Sequence, residues 1–170
     1  QGQDRVRMVR LARAFAERRL DRLVLSATMA ELARHKRRGR PVFLATASPQ
    51  ELADAVVWRL GITRSFGTVA EVIDGRYTGA LTGPLCHGPT KAARVRAGLA
   101  EQGIDLADCA VYSDSVHDLP MLVAGATPYA VNPDAELARI ARRNGWTIID
   151  GSRDRYLDEY ARLQAYPFVF

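Results

Sequence analysis

Five short apolar runs, at Val42 to Ala45, Phe66 to Ala70, Cys109 to Ser113, Pro128 to Val131 and Trp146 to Ile149, punctuate a chain whose intervening segments mostly follow a helical period. Runs this short read as strands buried on both faces, the pattern of a parallel sheet. Parallel neighbours need crossover connections, and those crossovers are right-handed. The alternation therefore predicts an α/β fold, a Rossmann-like doubly wound parallel sheet. Such sheets gather ligands at the carboxyl ends of their strands. Thr46 and Asp114 each stand at such an end, which places them on one rim.

The segment from Gln3 to about Leu20 repeats Val6, Val9, Leu11, Ala14, Phe15 and Leu20 near a 3.6 period, and a second helix comes next and stops near Gly39. Leu52, Val56, Val57 and Leu60 share one face of a helix over residues 49–60, with Gly61 as its stop. Asp74 and Gly75, between Glu71 to Ile73 and Arg76 to Thr78, have the chemistry of a tight primed turn and predict a β-hairpin arm. Lys91 opens a further helix that ends by Gly103. A short helix through Met121 and Leu122 and another over residues 133–144 complete the alternation. The expected organisation is a basic helix over residues 1–24, an α/β core over residues 25–150, and a carboxyl-terminal helix and tail over residues 151–170.

A chain of 170 residues, 48% apolar, can build one ordinary core. No apolar run approaches the roughly 20 residues that span a bilayer, and nothing resembles a signal peptide, so a cytoplasmic protein without membrane contact is expected. Cys86 and Cys109 are too few for a disulfide framework and read as reduced thiols. Residues 1–40 carry twelve Arg or Lys against four Asp or Glu. Those cations are interleaved with apolar residues at helical spacing and accompany no aromatic ladder, so they read as a solvated helix face rather than a nucleic-acid site. Trp58 and Trp146 read as packing residues. The sequence does not decide the oligomeric state.

Three features fit phosphoryl chemistry, which demands neutralisation of charge on the phosphate oxygens. Asp114 and Asp118, around a strand-to-helix turn, offer hard oxygen ligands of the kind magnesium accepts. A carboxylate directly after a buried strand is costly to desolvate unless a cation pairs with it, which points to Asp114 in particular. Lys91, after a Gly-Pro-Thr turn, supplies a point charge for phosphate, and Thr46 supplies a strand-end hydroxyl. Each residue alone has a plainer reading, as a helix cap, a surface lysine or a turn residue; the ordered set is what carries weight. His87 and His117 have no third ligand at suitable spacing and read as loop residues or supports of the aspartates.

The run from Tyr112 to Leu122, YSDSVHDLPML, resembles the fourth motif of the haloacid dehalogenase superfamily, in its subfamily IB branch of phosphoserine phosphatases and related small-molecule phosphatases. VFLATAS, from Val42 to Ser48, is similar to the second motif, and Gly88 to Ala92, GPTKA, to the third. Ala130 to Asp134, with Gly145 and Trp146, resembles the segment downstream of the fourth motif in this branch. The resemblance spans roughly Leu25 to Asp150. It implies that Asp114 binds Mg2+ and that Asp118 supports the metal and the lysine. It implies further that Thr46, with Ala47 and Ser48, holds the phosphoryl oxygens of a small-molecule phosphate ester and that Lys91 neutralises charge. Thr46, Lys91 and Asp118 are then the catalytic residues.

The family's mechanism also needs a nucleophilic aspartate with a second aspartate two residues on, both at the end of the first, central strand. No Asp-x-Asp occurs anywhere in this chain. The resemblance thus implies an amino-terminally shortened, catalytically incomplete chain that lacks the first central strand and most of the cap, with a gap between the strands ending at Ala45 and Ser113. The helix over residues 1–24 reads as a cap remnant. Thr46 is followed by Ala47, Ser48 and Pro49 rather than by paired glycines, a departure from the phosphoserine-specific pattern. A non-catalytic phosphate- or metal-binding module is the alternative function.

Overall fold

Asp4 starts the first helix, α1 (Arg5–Arg19), by accepting a hydrogen bond from the Arg7 N–H, one of the donors that every helix start leaves free. In this computed structural model, which describes residues 2–24 and 26–150, α2 (Ser26–Arg37) leads into β1 (Phe43–Pro49), α3 (Gln50–Leu60) and β2 (Arg64–Thr68). Gly61 closes α3 at φ 57°, the left-handed stop that its sequence position predicts. β3 (Ala70–Ile73) and β4 (Arg76–Leu81) form the hairpin arm. Its turn residues Asp74 and Gly75 both take positive φ, 50° and 76°, as a primed turn requires. The helix expected over residues 151–170 lies outside the described residues.

The second half runs α4 (Gly88–Ala100), β5 (Ala110–Ser113), the short α5 (Leu119–Leu122), β6 (Thr127–Val131), α6 (Ala135–Arg143) and β7 (Thr147–Ile149). β1 and β2 pair in parallel, and β5, β6 and β7 form a second parallel sheet in that order. Among the described residues, no ladder joins β1 to β5. The expected doubly wound sheet is therefore present as two pieces, with the interruption between the strands ending near Ala45 and Ser113.

One apolar cluster nevertheless spans both pieces. Phe66 of β2, Val95 and Leu99 of α4, Val111 of β5, Leu122 of α5 and Leu137 of α6 belong to it, with Phe43 and Ala45 of β1 packed against its edge. Each fully buried Leu contributes about 1.5–3 kcal/mol of transfer free energy. α4 is the bridge, because it packs on β1 and β2 and also against α5.

Three local expectations change. β1 does not end at Thr46 but continues to Pro49, with a break in register between Ala45 and Pro49 in which four steps on β1 match two on β2. Thr46, Ala47 and Ser48 sit in that bulge, outside the regular register with β2. α4 begins at Gly88 rather than Lys91, since Pro89 suits a first turn and Gly88 supplies the needed φ of 52°. Trp58 does not pack inside; it is half exposed, with the Arg13 guanidinium 5.5 Å from its ring centroid. A cation over the indole face covers the ring without burying it.

Close approach of α4 to β2 depends on Gly98, where an added Cβ would lie 2.1 Å from Cε1 of the buried Phe66. Gly98→Ala should cost about 1–3 kcal/mol through overpacking, despite the better helix propensity of alanine. Urea denaturation checks this; unchanged stability would show that α4 is not held against β2 at this point.

Candidate active site

Strand alternation sends Val111 and Ser113 of β5 to one face of the sheet and Tyr112 to the other. Ser113 therefore enters the interior beside α4, and its hydroxyl donates to Oδ2 of Asp118 at 2.8 Å. Oδ1 of Asp118 accepts from Nζ of Lys91 at 2.6 Å. Both partners are buried, at 7% and 8% exposure. The pair ties the first turn of α4 to the loop after β5.

Cys86, fully buried just before α4, joins this pair to β1. Burial raises the pKa of its thiol above the usual value, against the opposing pull of Arg94, Lys91 and the backbone N–H of Thr46. The thiol donates to the Phe66 carbonyl at 3.5 Å, and the Cys86 N–H donates to Oγ1 of Thr68 at 3.1 Å. Thr68 in turn donates to the Ala47 carbonyl at 2.8 Å, and Oγ1 of Thr46 accepts from the Ser48 N–H at 3.1 Å. The bulge that carries Thr46, Ala47 and Ser48 is thus fastened from below. The structure brings Thr46, Lys91 and Asp118 together around Cys86.

Asp114 stands one residue beyond β5 and is exposed. The desolvation argument that singled it out from sequence does not hold, since water reaches the carboxylate. Among the described residues that carboxylate has no hydrogen-bond or ion-pair partner, so its oxygens remain available on the rim. The Asp114 carbonyl accepts from the Asp134 N–H at 2.8 Å. The Asp134 carboxylate caps α6 by accepting from the Leu137 N–H and reaches back to accept from the Val116 N–H, each at 2.8 Å. Those two bonds hold its pKa below the ordinary aspartate range, with the Leu137 contribution the larger.

Cys86, Thr68, Ser113 and Asp134 were not singled out as site residues by sequence reasoning. Ser113 and Asp134 had a signal, in the runs from Tyr112 to Leu122 and from Ala130 to Asp134. His87 and His117 lie against each other with ring centroids 4.7 Å apart. His87 serves as the N-cap of α4, and both imidazoles are exposed.

Among the described residues, no three of His, Cys, Asp and Glu cluster tightly enough to enclose a metal. The donor set fits a hard cation that keeps most of its water: one free carboxylate on a rim, backed by an aspartate committed to a lysine. A cavity of about 620 Å³ opens elsewhere, lined by Ala93 and Ala97 of α4, by Glu101 just after it and by Phe66 of β2.

Asp118→Asn leaves the buried Lys91 ammonium without its countercharge and should destabilise the fold by about 3–5 kcal/mol. Asp114→Asn, at an exposed and unpartnered position, should stay within about 0.5 kcal/mol; equal losses at both positions would contradict the placement. Because the folded-state pKa of Asp134 is depressed, its contribution is complete above the ordinary value of 3.8 and is lost as pH falls below it toward the folded value. An acid titration of stability should therefore be flatter below that pH in Asp134→Asn than in the parent chain.

Comparison with known proteins bears on the family and the fold. The model of the family described as haloacid dehalogenase-like hydrolase matches residues 1–123. The protein named phosphoserine phosphatase SerB1 from Mycobacterium tuberculosis is 47% identical over 116 residues, 68% of this chain and 38% of that protein. The protein named histidinol-phosphatase from Neisseria meningitidis is 36% identical over 120 residues, 68% of this chain and 54% of that protein. A solved structure of a protein of unknown function from Bordetella pertussis superposes with a TM-score of 0.79 at 30% identity, covering 87% of this chain and 68% of that one. The chain spans well under half the length of SerB1 and about half that of the histidinol-phosphatase.

Proposed function

This chain belongs to the haloacid dehalogenase-like hydrolases, and from that premise we propose that its rim is the phosphate-binding and charge-neutralising part of a magnesium-dependent phosphatase site acting on small phosphate monoesters. The observation that carries the reading is the buried Lys91 to Asp118 pair, held at 2.6 Å beneath a bulge that presents Thr46. Lys91 faces a rim where an anion is its natural ligand. Asp118 positions the ammonium and balances its charge. The Thr46 hydroxyl orients phosphoryl oxygens.

Asp114 is the residue to hold Mg2+, with water completing the coordination. The ion supplies neutralisation of charge on the transferring phosphoryl group. Asp118, expected as a second ligand, has one oxygen on Lys91 and one on Ser113, so its part in this reading is to fix the lysine.

Hydrolysis through an aspartyl-phosphate needs a nucleophilic carboxylate and a proton donor on the same rim. The chain carries no Asp-x-Asp pair, and the reading assigns that pair to a segment that this chain does not supply. The substrate stays at the level of a phosphate monoester. The bulge sequence Ala47, Ser48, Pro49 departs from paired glycines, and the two relatives, SerB1 and the histidinol-phosphatase, carry names for different substrates. The absence of an Asp-x-Asp pair from these 170 residues favours one other reading, a module that binds phosphate or metal without turnover.

An aryl phosphate assayed with and without Mg2+, on this chain and on a form extended upstream, separates the two. The phosphatase reading expects no turnover by the present chain, magnesium-dependent turnover by the extended form, and a loss of about 100-fold or more when Asp114→Asn is introduced there. Turnover within threefold of the parent in that variant would sink the assignment of Asp114. Phosphate binding with no turnover in the extended form would establish the binding module instead.

A further inference from the structure

We propose that Thr68, on the strand beside β1, is a positioning residue for phosphate binding, because its one hydroxyl aims the hydroxyl of Thr46 through a relay of hydrogen bonds. The identity of the anion rests on the phosphatase reading; the bonds that aim the hydroxyl do not.

The relay starts from the break in the β1 and β2 ladder. β1 takes four steps, from Ala45 to Pro49, where β2 takes two, from Phe66 to Thr68. Pro49, the residue opposite Thr68, has no N–H to give. A bulge leaves backbone groups that the ladder does not reach, and each must find another partner. The Ala47 carbonyl finds the Thr68 hydroxyl, at 2.8 Å. Thr68 is buried, so water is a poor substitute for it there.

A hydroxyl has one proton to donate, and Thr68 gives it to Ala47. Its oxygen accepts the Cys86 N–H at 3.1 Å. One side chain is therefore committed twice, once to the bulge and once to the residue that leads into α4. Since α4 carries Lys91 in its first turn, the bulge and the ammonium are referred to the same junction.

Peptide planarity carries the constraint onward. The Ala47 carbonyl and the Ser48 N–H belong to one trans peptide and point in opposite directions. Fixing the carbonyl on Thr68 turns the Ser48 N–H away from β2, where it donates to Oγ1 of Thr46 at 3.1 Å. That bond occupies a lone pair of the Thr46 oxygen. Among the described residues the Thr46 hydroxyl donates to no partner, so its proton is left for a ligand. A hydroxyl that already accepts a bond is the stronger donor, because successive hydrogen bonds polarise one another. The Thr46 backbone is held at the same junction, its N–H lying against the Cys86 sulfur. The relay from Cys86 through Thr68 and the peptide between residues 47 and 48 ends on a donor set in advance for a phosphoryl oxygen.

The test measures inorganic phosphate binding to the present chain with Mg2+ by calorimetry, and amide exchange at Ser48 by NMR without phosphate. Thr68→Val keeps the shape of the side chain and removes both of its hydrogen-bonding capacities. Phosphate affinity is expected to fall about tenfold in Thr68→Val, and Ser48 exchange to quicken. Thr46→Val should lose a similar factor, and the double variant no more than either, because the two hydroxyls act through one relay. Thr68→Ser, which keeps the hydroxyl, should stay within about threefold of the parent. A purely structural part for Thr68 predicts instead that the two losses multiply. Three results overturn the proposal: parent-like affinity in Thr68→Val, multiplied losses in the double variant, or a tenfold loss in Thr68→Ser, which is readable even where Thr68→Val does not fold. Ser48 exchange separates the two failures. A parent chain that binds no phosphate sinks the reading of the rim and the role of Thr68 with it, whereas Ser48 exchange unchanged in Thr68→Val, in a chain that binds phosphate, sinks the relay alone.

Discussion

The ion pair between Lys91 and Asp118 is the contact on which the geometry of the site depends. Each charge costs several kcal/mol to take out of water, and only close geometry with further hydrogen bonds offsets that cost. Here one carboxylate oxygen meets the ammonium at 2.6 Å and the other accepts from Ser113 at 2.8 Å. A pair so constrained fixes the rotation of α4 about its own axis relative to the end of β5. α4 also packs on β1 and β2, so the same contact sets the distance between the two half-sheets. The bulge with Thr46 and the loop with Asp114 inherit their relative positions from it.

That dependence explains why a sheet in two pieces still presents one rim. Ordinarily a central ladder aligns the strand ends, but none joins β1 to β5 among the described residues. The alignment is carried instead by a helix, a buried thiol and an ion pair. Cys86 is suited to the junction because it is small and fully buried, and because the burial that raises its pKa keeps the thiol neutral. A charged group in its place would compete with Asp118 for Lys91.

Much of this was legible in the sequence. Each apolar run became a strand, the Asp74 and Gly75 turn was fixed by local chemistry alone, and the strand-end positions of Thr46 and Asp114 pointed to one rim. What escaped was contact information between distant segments. The bulge at Thr46 arises from how β1 meets β2, and no property of residues 43–49 announces it. Thr68 and Cys86 matter because two loops cross there, far apart in the chain. Trp58 misled for a related reason: a large apolar side chain reads as core, whereas Arg13, forty-five residues away, lets it stay at the surface. Asp114 was chosen on a desolvation argument that its exposure removes, and what keeps it in the proposed site is its place at the end of β5 and its lack of a partner among the described residues.

The cavity beside Phe66 sharpens the choice of site. At about 620 Å³ it offers ample room, yet its polar lining is spent internally. Arg64 pairs with Glu101 at 2.8 Å, Gln50 bonds Asp54 at 2.7 Å, Ser65 bonds Asp54, and Arg94 holds the Gly67 carbonyl. A ligand there would have to break bonds already made and would gain only contact with Phe66 and small side chains. The rim holds a carboxylate without a partner among the described residues, a hydroxyl at a bulge and an ammonium whose position is fixed. For recognising a compact anion, preorganised polar groups outweigh volume. The rim beside the buried ion pair is therefore the better-supported place for the proposed chemistry.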